Sequence, residues 1–119
     1  MSLPTDPREF LPLSPQQFQI LLALDGGERH GYGIIRDVAE RSALRLGTGT
    51  LYTAIARLAT LGLVADTGRD DDRRRYYRLT PTGRRVLLAE TARLEALVED
   101  AHRLGIRGAP RPAPVRGRS

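Results

Sequence analysis

The chain has 119 residues, with 19 basic against 14 acidic side chains, a formal net charge of +5, and neither Cys nor Lys. The lack of Cys excludes disulfides, a thiol sensor and a Cys-based metal site, and no apolar run approaches the roughly 20 residues of a membrane span. The length indicates one domain with some chain left for tails. The basic balance suits an anionic partner, either nucleic acid or an acidic membrane surface. The start MSLPTDPREFLPL lacks the apolar run of a signal peptide, so we expect a cytoplasmic protein.

Residues 1–13 are predicted to form an irregular arm, and a helix is predicted to follow it. Three prolines oppose helix in the arm, although Phe10, Leu11 and Leu13 could still pin it onto another surface. Ser14 and Gln17 then have the spacing of a capping box, and Pro15 suits the first helical position. Apolar residues recur at helical spacing until Gly26-Gly27, where we expect the helix to end.

A second helix is predicted to follow His30 and Gly31, with apolar residues on one side and charged residues on the other. Gly31 and Gly33 weaken its first turn, which hints at close packing there. We interpret His30 as a helix-start or packing residue, because nothing near it forms a set of metal ligands. The run 44–46 could form a small strand before the next helix.

The third helix is predicted from Thr48, a good N-cap residue, to Leu61, with Gly62 as the stop. Its apolar stripe comprises Leu51, Ile55 and Leu58. The opposite face is small, rich in hydroxyl groups and uncharged except for Arg57. An ordinary surface helix usually carries more charge, so this face indicates a surface shaped to fit against something.

A hairpin is predicted next, with strands over 63–67 and 75–79 joined by the polar connection 68–74. The connection is long for a hairpin, so we expect a mobile tip. In the second strand we expect Tyr77 to face inward and Tyr76 outward. The hairpin carries five arginines within a stretch of ten residues. Three aspartates at its tip partly offset their positive charge.

Thr80 and Pro81 repeat the start of the first helix and open the longest helix, predicted to reach about Leu104. Its apolar residues recur at spacings of four and three, as in a coiled-coil seam. The stripe could pack within the chain, but we favour a dimer seam, because the three-helix unit already has its own core. Residues 106–119 are predicted to be a disordered basic tail. The residues that we assign to the dimer seam are Leu87, Thr91, Leu94, Leu97, Val98, Ala101 and Leu104.

The order of helix, helix, helix, hairpin and long helix predicts the fold class. It is mainly α with a small β-hairpin: a winged helix-turn-helix over 14–80 and a C-terminal dimerisation helix over 81–105. In this arrangement the third helix enters the major groove of DNA, and the hairpin, or wing, contacts the backbone or the minor groove. Hydroxyl donors at the start of the third helix suit phosphate, and Arg57 could reach a guanine edge or a phosphate.

The chain resembles the PadR family of bacterial transcriptional regulators, in its short form with a single C-terminal helix. The likeness covers about residues 14–104 and is carried by 30–34 (HGYGI), 49–52 (GTLY), 54–58 (AIARL), 61–63 (LGL) and 75–83 (RYYRLTPTG). It implies a homodimer held mainly by the C-terminal helix, usually with help from the N-terminal helix. It also implies binding to a double-stranded DNA operator, most often for repression. In several members a small aromatic or cationic compound releases the DNA, and here such an effector would lie at the dimer interface.

The family's DNA contacts can be carried over by position. The sequence departs from the family pattern at two places. Gly33 stands where many members have a polar or charged residue. The run Asp70–Asp72 should repel phosphate, which argues against contact between DNA and the wing tip. Carried over in this way, the DNA-binding residues are Thr48, Thr50, Tyr52, Thr53, Arg57, Arg73, Arg74 and Arg75.

Other classes of function find less support. The two His residues are far apart, and no Ser has the flanking glycines of a nucleophile elbow, so we expect neither an enzyme nor a metal or other cofactor. A winged-helix protein-interaction module and a non-specific nucleic-acid binder dominated by the basic tail remain as alternatives. The acid-free face of the third helix argues against the first alternative. In the second alternative, nucleic-acid binding would persist without that face of the third helix but would be lost without the tail.

Overall fold

The computed structural model describes residues 3–71 and 73–110, so Asp72 and most of the predicted tail lie outside the described residues. The chain is mainly helical with a small antiparallel sheet, and it has the predicted winged-helix order. The elements are a 3₁₀ helix (Pro7–Phe10), α1 (Pro15–Asp25), β1 (Arg29–His30), α2 (Gly31–Arg41), α3 (Thr48–Thr60), β2 (Val64–Asp71), β3 (Arg74–Leu79) and α4 (Pro81–Arg103).

Local capping explains where the helices begin. The predicted capping box is present at α1, where Ser14 Oγ accepts from the Gln17 N–H and the Gln17 side chain accepts from the Ser14 N–H. Thr80 caps α4 as predicted, and its hydroxyl also donates to the Gly62 carbonyl at 2.6 Å. The prediction for α3 is wrong by one residue. Gly47 is the N-cap and makes no side-chain cap hydrogen bond, because Thr48 is already helical.

The sheet has three strands in the order β1-β3-β2, where the sequence predicted only a hairpin. In β1, Arg29 pairs with Tyr77 and His30 pairs with Tyr76, so the strand that leads into α2 joins the wing to the helices. The strand suggested over 44–46 is absent. Leu46 instead inserts its side chain into the core, which leaves this connection irregular.

The wing is longer and more regular than predicted. β2 continues to Asp71 and β3 begins at Arg74, so most of the predicted connection 68–74 lies in the two strands. The pairing of Asp66 with Tyr77 and of Asp70 with Arg75 leaves extra residues in β2, which therefore bulges. Gly68 has a φ of 79° at this bulge, a conformation that favours glycine.

The core lies between α1, α2, α3 and the first two turns of α4. The predicted inner residues of α3 are buried, and Tyr77 and Leu79 of β3 pack against the core as predicted. Leu87 is also buried, at 4% exposure. Leu87 therefore offers little surface to the predicted dimer seam, because the same stripe of α4 first passes through the core of its own chain before it continues beyond it.

The N-terminal arm is packed rather than irregular. Its 3₁₀ helix is capped by Asp6 and lies against α4, and Phe10 packs against the core. Leu13 is buried, and its N–H donates to the carboxylate of Glu90, which is only 1% exposed. The expectation that the arm is pinned by its apolar side chains is confirmed. No helix in residues 3–71 and 73–110 is long and apolar enough to cross a membrane.

Candidate nucleic-acid interface

The outward side of α3 is unusually small. The buried side chains Leu51, Ile55 and Leu58 define its inner side. With about 100° of rotation per residue, the opposite side carries two hydroxyl-bearing and two smaller residues, all of them exposed. This central stripe has neither a charge nor a long side chain, so the helix backbone can approach a partner closely. The stripe consists of Gly49, Thr53, Ala56 and Thr60.

The larger predicted contact residues stand on the two flanks of this stripe. Thr50 and Arg57 lie on the flank beside the start of α1, where they line a common groove with Gln16. Arg57 is exposed, and its side chain makes no ion pair or hydrogen bond in the described part of the chain. Thr48 and Tyr52 lie on the opposite flank. Since α3 contains no acidic residue, nothing on the helix itself would repel a phosphate.

Tyr52 is held against the start of α2. A Cβ on Gly31 would overlap the Tyr52 ring, and it would also press on Leu51. Glycine at position 31 therefore leaves the space that the Tyr52 ring occupies, so the close packing expected at the glycines of α2 is present at Gly31 but not at Gly33. Tyr52 remains 44% exposed, so its ring packs against α2 on one side and is accessible to a partner on the other.

The wing arginines differ in how they are paired. Arg75 forms an ion pair with Asp66 at 3.3 Å, and Arg74 Nη1 lies 3.3 Å from the Nε2 of His30. Arg73 adopts a φ of 66° at the turn. It is exposed. Of the predicted wing contacts, Arg75 has a charge that an ion pair partly neutralises.

An aromatic and cationic cluster joins the wing to the start of α2, and sequence reasoning missed it. The Arg69 guanidinium lies 4.2 Å from the centre of the Tyr76 ring, and Tyr76 contacts the His30 ring edge-on. His30 Nδ1 accepts from the Gly33 N–H at 3.0 Å, so His30 is the helix-start residue that was predicted. The only sequence signal was the alternation in β3 that directs Tyr76 away from Tyr77.

Tyr77 belongs to the core rather than to the interface. It packs against the apolar cluster, and burial raises the pKa of its phenol, with a smaller contribution from Tyr52. The phenol is therefore neutral at pH 7 and offers no charge to a partner. Residues 3–71 and 73–110 also contain no group of three or more metal-ligating side chains.

Six of the seven seam residues lie on surface that the single chain leaves wholly or partly open. Leu97 and Val98 are each 52% exposed and Leu104 is 81% exposed, while Thr91, Leu94 and Ala101 are half-buried. Leu94 and Val98 also line an open groove of about 350 Å³ together with Phe18 of α1. Because α4 extends beyond the core, the described part of the chain covers these apolar side chains only partly.

Comparisons with known proteins agree with this architecture. Residues 20–89 match the model of the transcriptional regulator PadR-like family. The chain is 36% identical over 75 residues to the transcriptional regulator Rv3488 of Mycobacterium tuberculosis, an alignment that spans 61% of this chain and 69% of that protein. It is 42% identical over 74 residues to an uncharacterized 37.1 kDa protein in transposon TN4556 of Streptomyces fradiae, covering 62% of this chain but only 21% of that protein.

A solved structure extends the comparison to the fold. A PadR family transcription regulator from Clostridium difficile R20291 superposes with a TM-score of 0.70 at 25% identity, covering 78% of this chain and all of that one. The matched family region 20–89 contains α2, α3, the wing and the start of α4. The chain therefore belongs to the PadR-like family of transcriptional regulators, which are DNA-binding regulators and not enzymes.

Proposed function

We propose that this chain acts as a homodimer that binds a pseudo-palindromic operator and represses transcription. The observation that carries the proposal is the outward face of α3, which is small in the centre and bears two larger exposed side chains on its flanks. These are Arg57, which has no ion pair within the described residues, and Tyr52, which packs against the start of α2. A helix of this shape fits into the major groove with its backbone close to the bases. Thr48, Thr50 and Thr53 supply hydroxyl groups for the same contact.

The wing adds a sequence-independent contact. Arg73 and Arg74 lie at the turn of the hairpin, where a winged helix meets the DNA backbone or the minor groove. Arg75 contributes less in this proposal, because Asp66 already neutralises part of its charge. A protein with this role acts in the cytoplasm and is associated with the nucleoid when it is bound to DNA.

Dimerisation places two such surfaces on one face of the duplex. The exposed apolar residues of α4, together with the groove beside Phe18, form the surface that a second copy would cover. Glu95 and Glu99 also line this groove. Carboxylates beside apolar walls suit an aromatic or cationic effector, so we place the effector site in this groove at the dimer interface.

A carboxylate on the outward face of α3 tests the proposal. Thr53 is exposed, so Thr53→Glu should leave thermal unfolding nearly unchanged while it places a negative charge against the DNA. We expect duplex binding to weaken by at least about a hundredfold, because like charges at a desolvated interface cost several kcal/mol. Ala92→Glu adds the same charge on exposed α4 and should bind as the natural protein does. Equal binding by Thr53→Glu and Ala92→Glu would contradict the placement of α3.

Removal of residues 106–119 separates this proposal from a tail-dominated binder. The truncated protein should keep its preference for an operator, because the wing and α3 remain intact. If truncation abolished all DNA binding and Thr53→Glu had no effect, the chain would be a non-specific nucleic-acid binder.

A further inference from the structure

A groove separates α3 from the start of α1, and its chemistry suits a phosphate. The groove encloses about 570 Å³ and is walled by Gln16 on one side and by Thr50, Thr53 and Arg57 on the other. The Arg57 flank of α3 is therefore one wall of a cleft rather than a free helix face.

The two walls offer donors that are not used within the chain. Ser14 and Gln17 also line the groove, but both are occupied by the capping box of α1. The Gln16 side chain makes no hydrogen bond in the described part of the chain, and the Arg57 side chain makes neither a hydrogen bond nor an ion pair there. No acidic residue lines the groove, and none lies in the first turn of α1. The cleft thus combines a guanidinium, an amide and two hydroxyls without a carboxylate, which complements an anion.

The position of the groove identifies the anion. The major groove of DNA is about 12 Å wide, and a helix with its side chains is about 10–12 Å across, so the sugar-phosphate backbone passes beside the flanks of an inserted helix. If the small stripe of α3 faces the bases, the flank beside α1 faces one backbone strand. We propose that this groove holds the DNA backbone, with Arg57 and Gln16 contacting phosphate from opposite walls. This inference rests on the proposed function, and it makes Arg57 a positioning contact rather than a reader of guanine.

The test uses random-sequence duplex DNA, since a phosphate contact acts on any sequence. Dissociation constants are measured by fluorescence anisotropy at several NaCl concentrations for Gln16→Lys and Gln16→Glu. Ala92→Lys and Ala92→Glu change the net charge equally on exposed α4 and serve as matched controls. We expect Gln16→Lys to tighten DNA binding. The logarithm of its association constant should fall more steeply with the logarithm of the salt concentration, with a slope larger in magnitude by about 0.9, the value for one added phosphate contact. Gln16→Glu should weaken binding by about tenfold, and both Ala92 variants should keep the natural slope.

Arg57 gives a second and independent readout. Arg57→Ala should reduce the salt slope by about one, and adding Gln16→Lys to this variant should restore it, because a cation on the opposite wall reaches the same phosphate. The proposal is overturned if the Gln16 and Ala92 variants behave alike, or if Arg57→Ala leaves the slope unchanged. Such a result would contradict the proposed function as well only if the natural protein did not bind duplex DNA at all. Steep salt dependence in the natural protein with no response at Gln16 overturns the groove contact alone.

Discussion

Glu90 is the residue whose replacement tests the fold most sharply. Its carboxylate is almost fully buried, and it accepts from the Leu13 N–H at 2.9 Å and from Arg93 Nε and Nη2 at 2.5 and 3.0 Å. These bonds tie the N-terminal arm to α4 at the point where α4 leaves the core. Donation by Arg93 is the main reason that the pKa of Glu90 is lowered, against the opposing effect of burial, and the Leu13 amide adds to the lowering.

The change Glu90→Gln keeps the shape of the side chain but replaces one acceptor oxygen by an NH₂ group. Both neighbours are donors, so one of them must lose its partner and face another donor. Breaking a buried charged pair costs about 3–5 kcal/mol when the remaining charge is buried. Arg93 is partly exposed and water can solvate it, so we expect a loss of about 2–3 kcal/mol in the free energy of unfolding. Glu40→Gln breaks an exposed ion pair with Arg36 and should cost less than about 1 kcal/mol.

Urea unfolding at fixed protomer concentration measures both variants, and its pH dependence checks the cause. Since the folded state lowers the pKa of Glu90, its contribution is present above the unfolded value of about 4.3 and is lost as the pH falls through the folded value. The gap between the natural protein and Glu90→Gln should therefore be largest near neutral pH and should shrink on acidification below about pH 4. A gap under about 0.5 kcal/mol at pH 7, or a gap that did not change with pH, would refute this reasoning.

Three further predictions concern close packing and assembly. Gly31→Ala should displace Tyr52 and weaken DNA binding in an anisotropy titration. Gly33→Ala is the control and should bind DNA normally, because its Cβ would make only ordinary contacts. Equal DNA binding by the two variants would contradict a contact between Tyr52 and DNA. Gly83→Ala should lower the free energy of unfolding in urea by at least about 2 kcal/mol, because the new Cβ would overlap a main-chain oxygen, and a loss below about 0.5 kcal/mol would contradict that close approach. Leu97→Asp should convert the proposed dimer to a monomer in light scattering at micromolar concentration, and a dimer that persisted in the variant would exclude this stretch of α4 from the interface.

The parts of the fold that depend on local chemistry could be predicted from the sequence. The starts of α1 and α4 are each determined by a few adjacent residues, Ser14 with Gln17 for α1 and Thr80 with Pro81 for α4. β1 could not be predicted, because two residues have no periodicity and form a strand only when β3 lies beside them. The length of the wing was underestimated for a related reason, since the bulge at Gly68 hides the continued pairing behind a polar, turn-like sequence.

The candidate site shows the same division. The small face of α3 follows from helical spacing alone, and the structure keeps it exposed. The burial of Leu87, which the sequence analysis assigned to the dimer seam, could not be predicted, because periodicity shows which stripe of α4 is apolar but not where the core ends. The groove beside Gln16 and the burial of Glu90 depend on how segments distant in sequence pack together. A Gln or a Glu in the sequence does not by itself indicate a groove or a buried position.

The central claim, sequence-specific binding of duplex DNA, is tested most directly by selection from fragmented genomic DNA of the source organism. The selected sequence is then titrated against random duplex at several salt concentrations. We expect a short inverted repeat that binds at least about a thousandfold more tightly than random DNA. Failure to enrich any sequence, together with binding that is equal for all duplexes and collapses steeply with salt, would show phosphate attraction alone and would contradict the account.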